Sequence, residues 1–251
     1  MKKYKIGIAL SGGGTRGFAH LGVLKALNEK GIYPEIVAGT SAGSIAGVLY
    51  CAGFSPDEIL KLFKKKKFSD LTKIQFPTNG LFSLDNLTQL IRKSVKEDRF
   101  EKLKVPFVVC VANLNTGKAE YISSGQLFKI VQASSSIPVL FSPVKVGKNI
   151  YVDGGLIDNL PVRPLVRKCE KIIAVNIFPN EKVNNVENLF QVATRTFQIS
   201  INKDIRYDKS RCHYYLEPPE MAKYNMLETK HMDDIFNLGY QYCKRIKFDL
   251  E

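Results

Sequence analysis

The chain has 251 residues, a formal net charge of +13 at pH 7, 45% hydrophobic residues and 24% charged residues. This length fits one α/β domain, and the composition is that of a globular protein, which excludes a disordered chain. No apolar run approaches the roughly 18 residues that span a bilayer. The apolar stretch Ile6–Leu10 near the N-terminus is shorter than the roughly 7–15 residues of a signal-peptide core, so we expect no secretory signal.

Five cysteines are spread along the chain, and none belongs to a CxxC pair. Their odd number and wide spacing predict neither a disulfide framework nor a zinc site, and they favour a reduced, cytoplasmic compartment. The positive charge favours an anionic partner, either nucleic acid or a membrane surface, although it also simply aids solubility. Because no RNA-binding signature occurs, we expect no nucleic acid partner and rank peripheral contact with an anionic membrane above it.

The first predicted elements form a strand–helix–strand–helix unit of the kind that builds parallel sheets. Apolar runs predict strands over 5–10 and 35–38, and helical spacing predicts helices over 18–30 and 41–52. The same patterns predict later helices over 56–67, 83–95, 126–133, 188–207 and 232–247, and later strands over 105–112, 119–122, 144–146, 150–152, 171–178 and 213–216. With no internal repeat and no clear linker, residues 1–251 are expected to form one domain.

A glycine-rich loop follows the first strand. Gly12, Gly14 and Gly17 match GxGxxG, which is also the fingerprint of dinucleotide-binding proteins. A dinucleotide site needs an acidic residue near the end of the second strand, but Glu35 opens that strand instead. The loop's backbone N–H groups and the following helix N-terminus could hold either a phosphate or a developing oxyanion. A nucleotide-binding module therefore stays as the third alternative.

The second strand ends at a GxSxG sequence, in which Ser41 lies between Gly39 and Gly43. Alone, this sequence is common and often marks only a helix start built from small residues. A strand before it and a helix after it are what a nucleophile elbow requires. Because adjacent parallel strands end at the same sheet edge, we expect Ser41 beside the glycine loop, as acyl transfer requires.

A serine nucleophile needs a proton acceptor. The three histidines, His20, His213 and His231, lie in an apolar helix, in a strand-like run and before the last helix, and none is in a site-like turn. Asp153 ends a strand and is followed by two glycines, a pattern that could also be a plain turn. Partial burial would raise its pKa and let it accept the serine proton directly.

Three motifs in this order resemble the patatin-like phospholipases: SGGGTRGFAHLGVL at 11–24, GTSAGS at 39–44 and DGG at 153–155. Plant patatins usually begin the glycine loop with Asp; Ser11 at that position resembles the bacterial members. The resemblance implies a three-layer α/β/α sandwich with a mainly parallel central sheet. It also implies a dyad in which Ser41 is the nucleophile and Asp153 is the base.

Because of the resemblance, the other residues of the three motifs are also expected to belong to the site. The implied oxyanion hole, which Arg16 would support, consists of Gly12, Gly13, Gly14, Thr15, Arg16 and Gly17. The implied elbow and base motifs add Gly39, Gly43, Gly154 and Gly155. The dyad needs no cofactor, and no HExxH, Asp-rich calcium loop or Cys/His cluster predicts a metal.

The expected function is hydrolysis of lipid acyl esters, of the phospholipase A or lysophospholipase kind. A soluble carboxylesterase, a thioesterase or an acyltransferase with the same dyad is the alternative. A basic segment suggests where lipid could bind, because Lys61 and the run Lys64–Lys67 end a helix that also carries apolar residues, namely Ile59, Leu60, Leu62, Phe63 and Phe68. Basic helices with an apolar face lie on anionic bilayers, but such a charge run is more often a solvated face.

Overall fold

The structure, a computed structural model, describes residues 3–64, 66, 68–74, 82–179, 185–201, 205–226 and 228–250. The strands in these ranges are β1 (Tyr4–Leu10), β2 (Ile36–Gly39), β3 (Lys73–Ile74), β4 (Phe82–Ser83), β5 (Phe107–Asn113), β6 (Lys118–Ile122), β7 (Val144–Val146), β8 (Asn149–Asp153), β9 (Cys169–Val175) and β10 (Tyr214–Leu216). The α-helices are α1 (Phe18–Glu29), α2 (Ala42–Cys51), α3 (Pro56–Lys64), α4 (Phe68–Leu71), α5 (Asp85–Ser94), α6 (Leu127–Ser134), α7 (Leu189–Ile201), α8 (Ile205–Arg211) and α9 (Met232–Lys244).

One sheet of eight strands organises the fold. Its order is β10-β9-β1-β2-β5-β8-β7, and β6 pairs with β5 off this path. The pairings from β10 to β5 are parallel, whereas β8, β7 and β6 are antiparallel additions to one side. The predicted parallel part is therefore confirmed, and the hairpins make the whole sheet mixed.

Alternation along the strands gives the sheet two buried faces. Successive side chains of a strand point to opposite sides, and in β1 Ile8 and Leu10 belong to one apolar cluster while Ala9 belongs to the other. The larger cluster takes in side chains from most of the helices, including α1, α2, α5, α6 and α9. The smaller cluster includes Leu160, Val162 and Leu165. These three residues lie in a non-helical segment, and α8 packs on β9. Both faces of the sheet are thus covered, as expected for the three-layer sandwich.

The C-terminal residues complete these layers. Strand β10 extends the sheet beside β9, and α9 packs closely along α1. A Cβ on Gly22 of α1 would lie 2.0 Å from Phe236 O, and a Cβ on Gly239 of α9 would lie 2.3 Å from Ala19 O. None of the described helices is long and apolar enough to cross a membrane.

Most predicted elements are confirmed with boundaries shifted by a few residues. Ser55 and Glu58 form a capping box at the start of α3, since Ser55 N donates to Glu58 Oε2 (2.8 Å) and Glu58 N donates to Ser55 Oγ (3.3 Å). The helix predicted over 188–207 is found as α7, which runs to Ile201, and α8, which starts at Ile205. Residues 202–204 between them lie outside the described ranges.

Candidate active site

The loops after β1 and β2 meet at one edge of the sheet because these strands are adjacent and parallel, with Leu10 opposite Gly39. Two backbone bonds join the loops: Thr40 N donates to Leu10 O (3.1 Å), and Gly43 N donates to Ser11 O (3.1 Å). The glycine loop therefore lies beside Ser41, as the sequence predicted.

Ser41 occupies a strained turn at the start of α2. Its φ of 51° and ψ of −120° are unusual for a residue with a side chain. The glycines on either side allow the turn. A Cβ on Gly39 would lie 2.5 Å from Gly43 O, and a Cβ on Gly43 would lie 2.1 Å from Leu10 O. Ser41 is 7% exposed, and the tight turn presents its hydroxyl at the sheet edge.

Asp153 ends β8 and is fully buried. Its backbone N–H donates to Ser136 O (2.9 Å), and its Oδ1 accepts from Gly155 N (2.8 Å). Burial raises the pKa of Asp153 to about 7, although hydrogen bonding to the Ser41 hydroxyl and to Gly155 N opposes the rise. Asp153 Oδ2 is buried and has no assigned hydrogen-bond partner among the described residues, which leaves this oxygen available to the Ser41 hydroxyl. Catalytic hydrogen bonds are often long before substrate binds.

The two glycines after Asp153 allow close packing of the base loop. A Cβ on Gly154 would lie 2.4 Å from Cys110 O, and a Cβ on Gly155 would lie 3.0 Å from Asp153 Oδ1. A side chain at either position would displace the carboxyl group or the neighbouring strand.

Gly12 is held by Asn159, a residue that the sequence motifs did not assign to the site. Gly12 N donates to both Asn159 Oδ1 (3.1 Å) and Asn159 O (3.2 Å). A Cβ on Gly12 would lie 2.5 Å from Asn159 Oδ1 and 3.1 Å from Ser41 Cβ. The N–H of Gly12 is therefore occupied, and Asn159 ties the glycine loop to the segment that follows Asp153.

The remaining backbone N–H groups of the loop differ in availability. Thr15 N donates to Met226 O (2.9 Å), and Arg16 N donates to Gly13 O (3.3 Å). No acceptor within the described part of the chain is recorded for the N–H groups of Gly13 and Gly14. Gly14 has a φ of 59°, and a Cβ there would lie 2.1 Å from Met226 O. Of the loop residues predicted for an oxyanion hole, Gly13 and Gly14 are thus candidates whose N–H groups are not used by another acceptor in the described part of the chain.

The Arg16 side chain bonds to the backbone of Tyr224, so it is not free to contact an oxyanion directly. It is 3% exposed, and its Nε and Nη2 donate to Tyr224 O at 2.8 and 2.6 Å. Its guanidinium also lies 5.0 Å from the centroid of the Phe178 ring. Arg16 therefore fixes the glycine loop to residues 219–226, and any support for an oxyanion passes through the loop's position.

Ser134, at the end of α6, is a second residue that sequence reasoning missed. Its fully buried hydroxyl accepts from Ser41 N (2.9 Å) and donates to Cys110 O (2.7 Å), so it links the elbow to β5. No local pattern marks it, because 93 positions separate Ser134 from Ser41. Asn159 did have a signal, since it closely follows the DGG motif.

Within the described residues, none of the three histidines is hydrogen-bonded to Ser41 or Asp153. His20 is fully buried in α1 and donates from Nε2 to Ser11 O (2.8 Å), and burial lowers its pKa to about 4. His213 Nδ1 accepts from Ile172 N (3.0 Å), and His231 pairs with Asp234 (3.1 Å). Across the described ranges, no group of three or more His, Cys, Asp and Glu side chains could hold a metal ion.

Ser41 opens onto a cavity of about 130 Å³ between the helices and the sheet edge. Backbone and side chains of the glycine loop and Met226 form part of its wall. The rest is mostly apolar and includes Phe18, Leu21, Ile45, Ile59, Phe63, Leu84, Leu87, Ile137 and Phe141. Such a wall suits a hydrocarbon chain better than a charged nucleotide.

Three of the apolar residues of α3 that were expected to face lipid are inside the protein. Ile59, Leu60 and Phe63 are all buried, and both Ile59 and Phe63 line the cavity. Lys64 Nζ bonds to Asp233 Oδ1 at 2.8 Å, whereas Lys65 and Lys67 lie outside the described residues. An amphipathic pattern fits both a membrane helix and a helix that covers a core, and here the apolar face is inside.

Several known proteins and one family model are similar to this chain. A family model described as patatin-like phospholipase matches residues 8–166. Lysophospholipase NTE1 of Kluyveromyces lactis is 28% identical over 94% of this chain, and that of Saccharomyces cerevisiae is 26% identical over 94%. The chain spans only 19% and 16% of those two proteins.

The solved structure of VipD from Legionella pneumophila has the same fold. It aligns with a TM-score of 0.59 at 15% identity, covering 96% of this chain and 66% of VipD. The match to the family model extends over most of the chain and includes the glycine loop, Ser41 and Asp153. This chain belongs to the patatin-like phospholipase family.

Proposed function

We propose that this protein hydrolyses acyl esters of phospholipids or lysophospholipids, with Ser41 as nucleophile and Asp153 as base. One observation carries the proposal: a serine on a strained elbow opens onto an apolar cavity and interacts with a buried carboxyl group behind it. Membership in the family and the names of the fungal lysophospholipases support the lipid substrate.

The first half of the reaction forms an acyl-enzyme. Ionised Asp153 accepts the proton of Ser41 Oγ while Oγ attacks the ester carbonyl carbon. The negative charge that develops on the carbonyl oxygen is stabilised by the N–H groups of Gly13 and Gly14. The bond to the leaving alcohol then breaks, and protonated Asp153 gives its proton to that alcohol. The acyl group is left on Ser41, with its chain in the apolar cavity.

The second half releases the acid. A water molecule attacks the acyl carbon, Asp153 accepts the proton of this water, and the bond to Ser41 Oγ breaks as the oxygen regains a proton from Asp153. A base is most effective when its pKa lies near the working pH, and burial brings the pKa of Asp153 to about 7. This chemistry uses no metal and no cofactor.

A soluble esterase, thioesterase or acyltransferase remains the second candidate because it would use the same dyad. The apolar wall of the cavity favours a long acyl chain over a short one. Contact with an anionic membrane follows from the substrate, which is insoluble, and from the net charge of +13.

The test combines a fluorophosphonate probe with turnover of lysophosphatidylcholine, phosphatidylcholine and a short soluble ester. We expect the probe to label the wild type but not Ser41→Ala, whose turnover should fall by several orders of magnitude. Ser124→Ala, at an exposed serine, is the matched control and should behave as the wild type. Equal labelling of Ser41→Ala would contradict the assignment, and turnover of the soluble ester alone would favour the second candidate.

A further inference from the structure

Helix α7 exposes an apolar stripe to solvent. Leu189, Val192 and Ile199 are 81%, 48% and 60% exposed, although aliphatic side chains of this size are usually buried. Their spacing of three and seven residues places them on one side of a helix with 3.6 residues per turn. We call these three residues the outer stripe of α7.

The opposite side of α7 packs beside the active site. Phe197 and Ile201 are buried, and a Cβ on Gly155, two residues after Asp153, would lie 3.3 Å from Phe197 Cζ. Gln198 Nε2 lies 3.4 Å from the Sδ atom of Met226, which lines the cavity. The inner side of α7 thus holds the helix against the base loop, while the outer stripe faces away from the protein.

The charge of α7 is compatible with an anionic surface. The helix sequence LFQVATRTFQISI contains no acidic residue, and Arg195 is its only charged residue. The chain as a whole carries a net charge of +13. Glu187 is exposed just before the helix, but α7 itself presents an apolar stripe and no acidic side chain. On a strongly basic protein, such a helix suits the surface of an anionic bilayer. Helix α3 does not compete for this role, because Ile59, Leu60 and Phe63 are buried.

We propose that the outer stripe of α7 docks on an anionic lipid surface and places the active site against it. The proposal rests on the proposed function, since a lipid hydrolase must reach its substrate in a membrane. The stripe inserts among the lipid headgroups and upper acyl chains, and the base loop lies directly beneath the helix. Docking therefore positions the cavity at the surface from which the acyl chain is taken.

The test compares vesicle binding by variants that all carry Ser41→Ala, so that lipid is not consumed. The probe is a vesicle of phosphatidylcholine and phosphatidylserine, with a phosphatidylcholine vesicle as the neutral counterpart. In one variant Leu189, Val192 and Ile199 are replaced by Gln, which is a good helix former. The matched control is Tyr33→Gln, because Tyr33 is 60% exposed but precedes β2, at the sheet edge opposite Ser41.

We expect the stripe variant to bind anionic vesicles at least about tenfold more weakly, since burial of even one large aliphatic side chain has about this effect. The control should bind as the parent does, and binding to neutral vesicles should be weaker throughout. Equal binding by parent and stripe variant, or no binding by the parent, would overturn the proposal. So would a parent dimer that the stripe variant converts to monomer, because the stripe would then be a contact between two copies.

The same substitutions in the active enzyme separate this proposal from the proposed function. We expect the stripe variant to hydrolyse a short soluble ester at the wild-type rate but to lose turnover on vesicles. If the wild type hydrolyses no ester while the docking result holds, the proposed function fails and the docking surface stands. If vesicle turnover is unchanged, the docking surface fails and the hydrolase stands.

Discussion

Replacement of Asp153 by Asn should stabilise the fold at alkaline pH although it removes the proposed base. Burial raises the pKa of this carboxyl group from 3.8 to about 7 in the folded protein. Because the folded-state pKa lies above the unfolded one, folding is favoured most when Asp153 is protonated. This contribution to stability is fully present below about pH 4 and is lost as the pH rises through 7.

A shift of about three pKa units corresponds to about 4 kcal/mol. Asparagine has nearly the same shape, its amide oxygen can still accept from Gly155 N, and it cannot ionise. We therefore expect Asp153→Asn and the wild type to be about equally stable near pH 4. Near pH 9 the variant should be more stable by about 4 kcal/mol, and nearly all of this difference should build up between about pH 4 and pH 7, where the two pKa values lie.

Urea denaturation of both proteins at a series of pH values measures this difference. Asp249→Asn, at an exposed carboxylate, is the matched control and should show no comparable dependence on pH. A stability difference between Asp153→Asn and the wild type that stays constant with pH would refute the reasoning. A wild type that gains stability relative to the variant as the pH rises would refute it more strongly, because the sign would be reversed.

Three further predictions concern the same site. For a soluble ester, kcat/KM should rise with an apparent pKa of about 7 and stay high at alkaline pH, because free Asp153 must be ionised; a flat profile would indicate another base. Ser134→Ala should lower kcat more than it raises KM, since it leaves Ser41 N without its acceptor. Arg16→Ala should lower the free energy of unfolding by about 2 kcal/mol, measured in urea, because two charged hydrogen bonds to Tyr224 O are lost; unchanged stability would contradict this role.

The sequence was sufficient to place the principal residues of the candidate site. Alternation of strands and helices predicts parallel neighbours, and parallel neighbours end at one edge, so the glycine loop and Ser41 had to meet there. The hairpin of β7 and β8 could also be predicted, because the turn at Gly147 has the local pattern that such hairpins require. Features determined by neighbouring residues in the chain were thus predictable.

Contacts between distant segments were not predictable in the same way. Asn159 bonds to Gly12 across 147 positions, and Arg16 bonds to Tyr224 across 208. In both contacts a side chain of one segment bonds to the backbone of a distant segment. The periodic patterns of the sequence do not predict which distant segments come together. The face of α3 shows the same limit, because its spacing of Ile59, Leu60 and Phe63 fits a membrane or a core, and only the surrounding helices decide between them.

These long-range contacts surround the two residues of the site whose conformation or charge costs the most free energy, Ser41 and Asp153. A non-glycine residue with the dihedral angles of Ser41 costs about 1–3 kcal/mol, and ionised Asp153 costs about 4 kcal/mol by the shift in its pKa. Such a site persists only when surrounding bonds hold it in place. Ser134 bonds to the backbone of Ser41, Asn159 bonds to Gly12 beside it, and Arg16 fixes the end of the glycine loop. The residues that the motifs missed are therefore the ones that stabilise a reactive arrangement which the motif residues alone would not maintain.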